Sequence, residues 1–305
     1  VKSAPLALVT GASSGIGAEI ARAFRRRGYN LVLLARDRGR LEELARDLEI
    51  EGRASPVVMT VDLSLPGSPQ RVFADLQRRG LAVDILVNNA GVICEGDFVE
   101  TEADDLLRLL QTNVVALTAL TRVFAPAMKA RGTGRILNVA SIAAFAPTPR
   151  LAVYAAAKAY VLSFSEALAE ELADSGVTVT ALCPGFTETG MLERSNVGQS
   201  LPRAIVMSAH DVAERGCLAC LAGERVCVPG LVNSMTALGA RLAPRPVVRF
   251  LGGLGRRFAA KQDAGVDKGA TDDRNMTAAG ETSHARRKAK RQPVRKPKSD
   301  RSPER

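Results

Sequence analysis

The chain has 305 residues, 46% of them hydrophobic, and a formal net charge of +10. That is enough for one large α/β domain or two small ones, with a sizeable core. Five cysteines, an odd number scattered at positions 94, 183, 217, 220 and 227, argue against a disulfide framework and suit a reducing compartment. No run of 18 apolar residues is free of charge, so no transmembrane helix is expected.

The charge is uneven. Residues 261–305 hold 13 Lys/Arg against 7 Asp/Glu, a net of +6 that leaves +4 for the first 260. The basic balance therefore mostly describes a tail. The opening "VKSAPLALVTG" has one lysine and a short apolar run that enters a glycine turn, unlike a secretory leader, and a cytoplasmic protein is the expectation.

Along the chain, short apolar runs alternate with longer helical patterns. The predicted strands are 6–10, 30–35, 56–61, 83–88, 134–140, 176–183 and 225–229. Most are continuously apolar, as in strands covered on both faces. Between them lie helical stretches such as "GAEIARAFRRRG" and "DDLLRLLQTNVVALTALTRVFAPAMKA". The alternation predicts a doubly wound, parallel seven-stranded sheet of Rossmann type, with helices on both faces. "HDVAERGCLACLAG" reads as an amphipathic helix, so Cys217 and Cys220 are expected in the core. No metal site is expected, since no second cysteine pair and only two histidines exist.

The first strand ends in "TGASSGIG", which supplies Thr10, Gly11, Ser13, Ser14, Gly15, Ile16 and Gly17. A strand, a glycine turn and a helix N-terminus together form an anion cradle: glycines admit a pyrophosphate, and the helix N–H groups face it. After the second strand, an NAD-type sheet places an acidic residue for the ribose 2′-hydroxyl. Here Ala35 is followed by Arg36, with Arg38 and Arg40 behind. An arginine fork suits a 2′-phosphate, which points to NADP(H).

Further on, "VYAAAKAY" sets Tyr154 and Lys158 four apart, on one face of an alanine-rich helix. Two readings fit that spacing. One is a surface aromatic–lysine pair; the other is a phenol whose pKa a neighbouring cation lowers, which makes it a usable acid.

Six motifs stand in the order and spacing of one family. "TGASSGIG", "NNAG" (88–91), Asn113 in "QTNVVAL", Ser141 in "NVASIAA", "YAAAK" (154–158) and "PGFTET" (184–189) resemble the short-chain dehydrogenase/reductase family over residues 6 to about 230. Finer sequence features resemble a bacterial branch related to 3-ketoacyl and hydroxysteroid reductases. The resemblance implies hydride exchange between NADP(H) and a carbonyl or secondary alcohol, on a ketone or 3-oxoacyl substrate. Tyr154 would be the acid/base and Lys158 the charge that lowers its pKa. Ser141 would stabilise the substrate oxygen, and Asn113 would hold a water linked to Lys158. Asp62 would cap the adenine, with Asn88, Ala90 and Gly91 on the adenosine side. Pro184, Gly185, Thr187 and Thr189 would contact the carboxamide and pyrophosphate. Position 187 often carries an aliphatic residue in that family; here it is threonine. Homo-oligomers that pair the helices around 102–129 and 152–174 are also implied.

The expected organisation is a catalytic domain over 1–230, an apolar-basic helical extension over 231–260 and a disordered tail over 261–305. Pro244 and Pro246 are expected to split the extension into two short helices. Specificity is expected in 188–208. The extension suits a lid or an anionic membrane surface, and it equally suits packing against the fold or a partner subunit. The tail run "ARRKAKRQPVRKPK" (285–298) has eight positive charges and no aromatic residue. It suits weak contact with anionic membrane or nucleic acid, not base readout. A rival to the enzyme is a nucleotide-binding sensor or scaffold that uses the tail for a partner.

Overall fold

Seven strands form one parallel sheet in the order β3-β2-β1-β4-β5-β6-β7. They are β1 (Leu6–Thr10), β2 (Asn30–Ala35), β3 (Val57–Thr60), β4 (Ile85–Asn88), β5 (Gly134–Val139), β6 (Val177–Leu182) and β7 (Val226–Cys227). This computed structural model describes residues 4–193, 205–244 and 246. The chain divides into two units, residues 1–255 and 256–305, and the described residues all belong to the first. The sheet is the one the apolar runs predict, with shorter ends. β7 is reduced to two residues because only Val226 and Cys227 pair with β6.

Side chains alternate across each strand, so each apolar run feeds two cores. Ala7, Val9, Leu31 and Leu33 meet α1 (Gly15–Arg26), α2 (Arg38–Asp47) and, through Cys217 and Cys220, a later helix at Ala209–Ala222. Leu6, Leu8, Val32 and Leu34 pack on the opposite face. There they meet α3 (Ser68–Arg78) and the helical run that follows β4. Fully burying one such leucine or valine stabilises the fold by about 1.5–3 kcal/mol.

The run after β4 departs from the single long helix its sequence suggests. It divides into α4 (Ala103–Leu110), a π-helical segment (Gln111–Ala116) and α5 (Leu117–Arg131). A π segment adds a residue to the turn and re-aims the side chain within it; the residue re-aimed here is Asn113. Pro126 lies inside α5 on its exposed side, where the carbonyl it leaves unpaired can reach water. The remaining helices are α6 (Ala152–Glu171), α7 (Gly190–Glu193), α8 (Ala209–Ala222) and α9 (Leu231–Leu242). Of the two helices expected in the extension, α9 is the first. The second lies outside the described residues, as does the tail.

Two buried polar features were not visible as such in the sequence. Arg25, in "AFRRRG", is 2% exposed. Its guanidinium donates to the carbonyls of Leu48 (2.9 Å), Ala54 (3.0 Å) and Tyr29 (3.4 Å). Beneath the sheet, Asn88 Nδ2 donates to Asn138 Oδ1 (2.9 Å) and Thr121 Oγ1 (3.1 Å), and Asn138 Nδ2 donates to Ser165 Oγ (2.9 Å). This chain ties β4, β5, α5 and α6 together where no water reaches. Asn138→Ala takes one bond each from Asn88 and Ser165 in the buried core, so it is expected to cost about 1–3 kcal/mol, measured as a lower urea midpoint at unchanged slope.

Candidate active site

The strand order reverses between β1 and β4, and the segments that leave them run to opposite faces, α1 to one and α5 to the other. A crevice opens at such a point beyond the carboxyl ends of the strands. Thr10, the last residue of β1, holds it in shape. Its Oγ1 donates to the Val87 carbonyl and accepts from the N–H groups of Asn89 and Ala90, each at 3.0 Å. Asn89 Nδ2 reaches back to the carbonyls of Thr10 (2.9 Å) and Gly11 (3.2 Å).

The glycines are required here by space. A Cβ on Gly17 would sit 2.3 Å from both Asn89 Nδ2 and the Gly11 oxygen, and one on Gly11 would sit 2.9 Å from the Ala90 backbone. Ser14 caps α1 in extended conformation without a side-chain bond to the helix, and the first turn carries no acidic residue. Its N–H groups are thus left for an anion. Gly11, Ser13, Ser14, Gly15, Ile16 and Gly17 wall a cleft of about 920 Å³.

Arg36, Asp62, Ala90, Gly91 and Thr189 line the same cleft. Arg38 pairs with Glu42 and Arg40 with Asp37, whereas Arg36 makes no ion pair among the described residues. Burial works against the charge on Asp62. Two hydrogen bonds from Ser64, with Arg36 and Arg108 nearby, outweigh it and hold the carboxyl below its ordinary range.

Beyond Gly91 the cleft meets a second cluster. A Cβ on Gly91 would lie 3.3 Å from Asn113 Oδ1 and 3.7 Å from Lys158 Nζ. Asn113 uses both side-chain atoms on Val92: Oδ1 accepts from its N–H and Nδ2 donates to its carbonyl, each at 2.9 Å. Lys158 is 6% exposed and donates to the Val139 carbonyl at 2.7 Å. Val139 ends β5, two residues before Ser141, so one bond ties the lysine's helix to the serine's strand. Ser141 Oγ accepts from Ala143 N–H at 3.1 Å, and the Ser141 side chain is near enough to the Tyr154 phenol to lower its pKa. The Lys158 ammonium stands 5.7 Å from the centre of the Tyr154 ring. The four residues predicted from the motifs thus come together.

The segment 184–189 joins the two clusters. Pro184 accepts from Ile142 N–H at 2.9 Å, and Thr187 Oγ1 donates to the Gly185 carbonyl at 3.0 Å. Thr189 abuts Gly15, whose Cβ would meet its Cγ2 at 3.0 Å. Gly185 has no room for a side chain because Asn233 of α9 lies against it, at 2.4 Å from a built Cβ.

Two expectations change. Asn88 does not line the cleft; its amide is spent on the buried network beneath the sheet, and its neighbour Asn89 holds the cradle instead. The duplicated asparagine in "NNAG" was the available signal, but only the alternation of strand sides separates the two. The phenol of Tyr154 is not lowered: burial pushes it above its ordinary 10, and Ser141 offsets only part of this. Burial also lowers Lys158, from 10.5 to about 8. Desolvation is thus the largest influence on both groups in this geometry. Residues 194–204 of the expected specificity segment lie outside the described residues. Cys217 and Cys220 are fully buried free thiols, both pushed up by burial, as their place in the α8 core requires. Among the described residues no cluster could hold a metal.

The fold and these clusters define a Rossmann-type oxidoreductase. Residues 5–200 match the short chain dehydrogenase family, and the chain belongs to it. It is 40% identical over 193 residues to the "Granaticin polyketide synthase putative ketoacyl reductase 1" of Streptomyces violaceoruber, covering 62% of this chain and 70% of that one. Among solved structures it resembles a short-chain dehydrogenase from Sphingobium yanoikuyae in complex with NADPH, at TM-score 0.70 and 38% identity, covering 78% of this chain and 93% of that one. It also resembles the 3-ketoacyl-(acyl-carrier-protein) reductase from Brucella melitensis complexed with NADH, at TM-score 0.66 and 32% identity, covering 74% and 96%.

Lys158 makes this site sensitive to pH. Between about pH 8 and 10.5 the unfolded chain still holds a proton on this amine that the folded chain has released. Stability therefore rises with pH across that window. Relative to Lys158→Met, which has no proton to lose, the wild type is expected to gain about 3 kcal/mol from pH 8 to 10.5 at roughly 1.4 kcal/mol per unit. Paired denaturant titrations across the window read the difference.

Proposed function

We propose that the protein is an NADP(H)-dependent oxidoreductase that interconverts a ketone and a secondary alcohol, with Tyr154 as the acid/base. The observation that carries this reading is Tyr154 set against Ser141 and Lys158, next to a glycine-walled cleft that reaches Arg36. The donor set fits a dinucleotide: side-chain-free walls at Gly11 and Gly17, uncapped N–H groups of α1 and the Arg36 guanidinium, which makes no ion pair among the described residues. A nicotinamide nucleotide bound there supplies the hydride.

The chain's own residues supply the proton and the field. With its pKa raised, Tyr154 is protonated at neutral pH and gives its phenolic proton to the carbonyl oxygen; in the reverse direction it takes the alcohol's. Ser141 donates a hydrogen bond to that oxygen, where negative charge develops. Lys158 commits one N–H to Val139, and its others serve the phenolate and a ribose hydroxyl. Asn113 fixes the Gly91–Val92 backbone beside it. Asp62 serves the adenine, while Thr187, Thr189 and the Pro184–Gly185 turn hold the nicotinamide side.

Likeness to ketoacyl reductases supports a 3-oxoacyl or other lipid-like ketone as substrate. Exposed Leu107, Leu110, Val115 and Tyr160, along α4, the π segment and α6, support a homo-oligomer built on those helices. Five free thiols suit a reducing, cytoplasmic setting.

Tyr154→Phe is expected to keep NADPH affinity within about threefold and to lose turnover by about 10²–10⁴, read by fluorescence titration and by NADPH oxidation on a carbonyl panel. Normal turnover in that variant would sink the mechanism. NADPH is expected to bind at least about tenfold tighter than NADH, roughly 1.4 kcal/mol, with Arg36→Ala erasing the preference. Equal affinities in the wild type would refute the cofactor choice, and binding of neither would favour a scaffold.

A further inference from the structure

Helix α9 is built inside out for a surface helix. Asn233 and Ala237 face the protein and are buried, with Asn233 Nδ2 donating to the Pro229 carbonyl at 2.8 Å. Leu231, Met235, Leu238 and Leu242, at i, i+4, i+7 and i+11, form one stripe on the opposite side. They are 78%, 67%, 58% and 76% exposed, and Val232 beside them is 63% exposed. A surface helix ordinarily turns such a stripe inward.

The helix is not loosely attached. Arg241 lies 5.0 Å over the ring of Phe145, four residues after Ser141, and donates to Glu166 of α6 at 2.9 Å. Asn233 fills the space over Gly185. The inner face of α9 is thus spent on the elements that carry the catalytic residues, and its apolar stripe is held outward.

Charge says what the stripe meets. Residues 231–260 contain Arg241, Arg245, Arg249, Arg256 and Arg257 and no Asp or Glu. A further net +6 follows in 261–305. At 12 residues, about 18 Å at 1.5 Å per residue, α9 is too short to cross a bilayer, and no helix among the described residues is long and apolar enough to do so. A short helix with an apolar face, in a segment whose only charges are positive, matches an anionic lipid surface: the stripe enters the headgroup region, and the arginines that follow Arg241 in the sequence supply positive charge for lipid phosphates.

We propose that α9 docks the protein on an anionic membrane surface through Leu231, Met235, Leu238 and Leu242. This places the catalytic elements that α9 contacts next to the bilayer. The proposal does not depend on which reaction the site performs.

Flotation of the full chain tests it, with vesicles of equal phosphatidylglycerol and phosphatidylcholine and with vesicles of phosphatidylcholine alone. The wild type is expected to bind the mixed vesicles at least tenfold more strongly than the neutral ones. Met235→Ser/Leu238→Ser leaves the net charge unchanged and alters only exposed positions, so it is expected to keep its melting temperature and lose vesicle binding at least tenfold. No binding by the wild type overturns the proposal, as it would if residues 247–254 of the same chain covered the stripe. Undiminished binding by the double variant also overturns it and assigns the effect to the basic residues alone. A halved solution mass in the double variant, read by light scattering, overturns it in favour of a second copy of the chain.

Discussion

The hydroxyl of Thr10 is the bond on which the rest of the site depends. It joins the end of β1 to the end of β4 and to the backbone that follows, at the one place where the sheet reverses its order. In a parallel sheet the strand ends would otherwise part there, since the chain leaves them for opposite faces. Held together, they bring Asn89 under the glycine turn so closely that neither Gly11 nor Gly17 can carry a side chain. Ala90, Gly91 and Val92 are set in line behind, and Gly91 delivers the cleft to Asn113 and Lys158. Cradle and catalytic cluster are thus one continuous backbone path.

Burial sets the chemistry at the far end. Lys158 is buried and Tyr154 partly so, and desolvation moves each toward its neutral form. The same burial accounts for the inert thiols at Cys183, Cys217, Cys220 and Cys227, all raised well above the ordinary thiol range.

Beyond the shared architecture, α9 gives this chain its own character. Its inner face contacts three catalytic segments: the turn after Ser141, the helix of Tyr154 and Lys158, and the Pro184–Gly185 turn. Whatever meets its outer stripe therefore lies one helix away from the reacting groups.

Much of this was legible in the chain itself. Continuous apolar runs separated by helical periods specify a buried parallel sheet, because only strands covered on both faces carry no polar alternation. The glycine turn was readable from local geometry, whereas the roles of Ser141 and the Tyr154–Lys158 pair came from the resemblance of the ordered motifs to one family. The rest required the tertiary structure. Arg25 looks like its solvated neighbours until three carbonyls converge on it. Asn88 and Asn89 have the same chemistry, and only the side of the strand each occupies sends one to the core and the other to the cradle. The helix from 104 to 130 reads as uninterrupted, yet a π segment turns Asn113 toward Val92. The phenol's pKa reads as lowered from the charge beside it and is raised once burial is known. In each case the sequence names the group, whereas its environment comes from residues distant along the chain, and it is the environment that sets the energy of a buried charge or hydrogen bond.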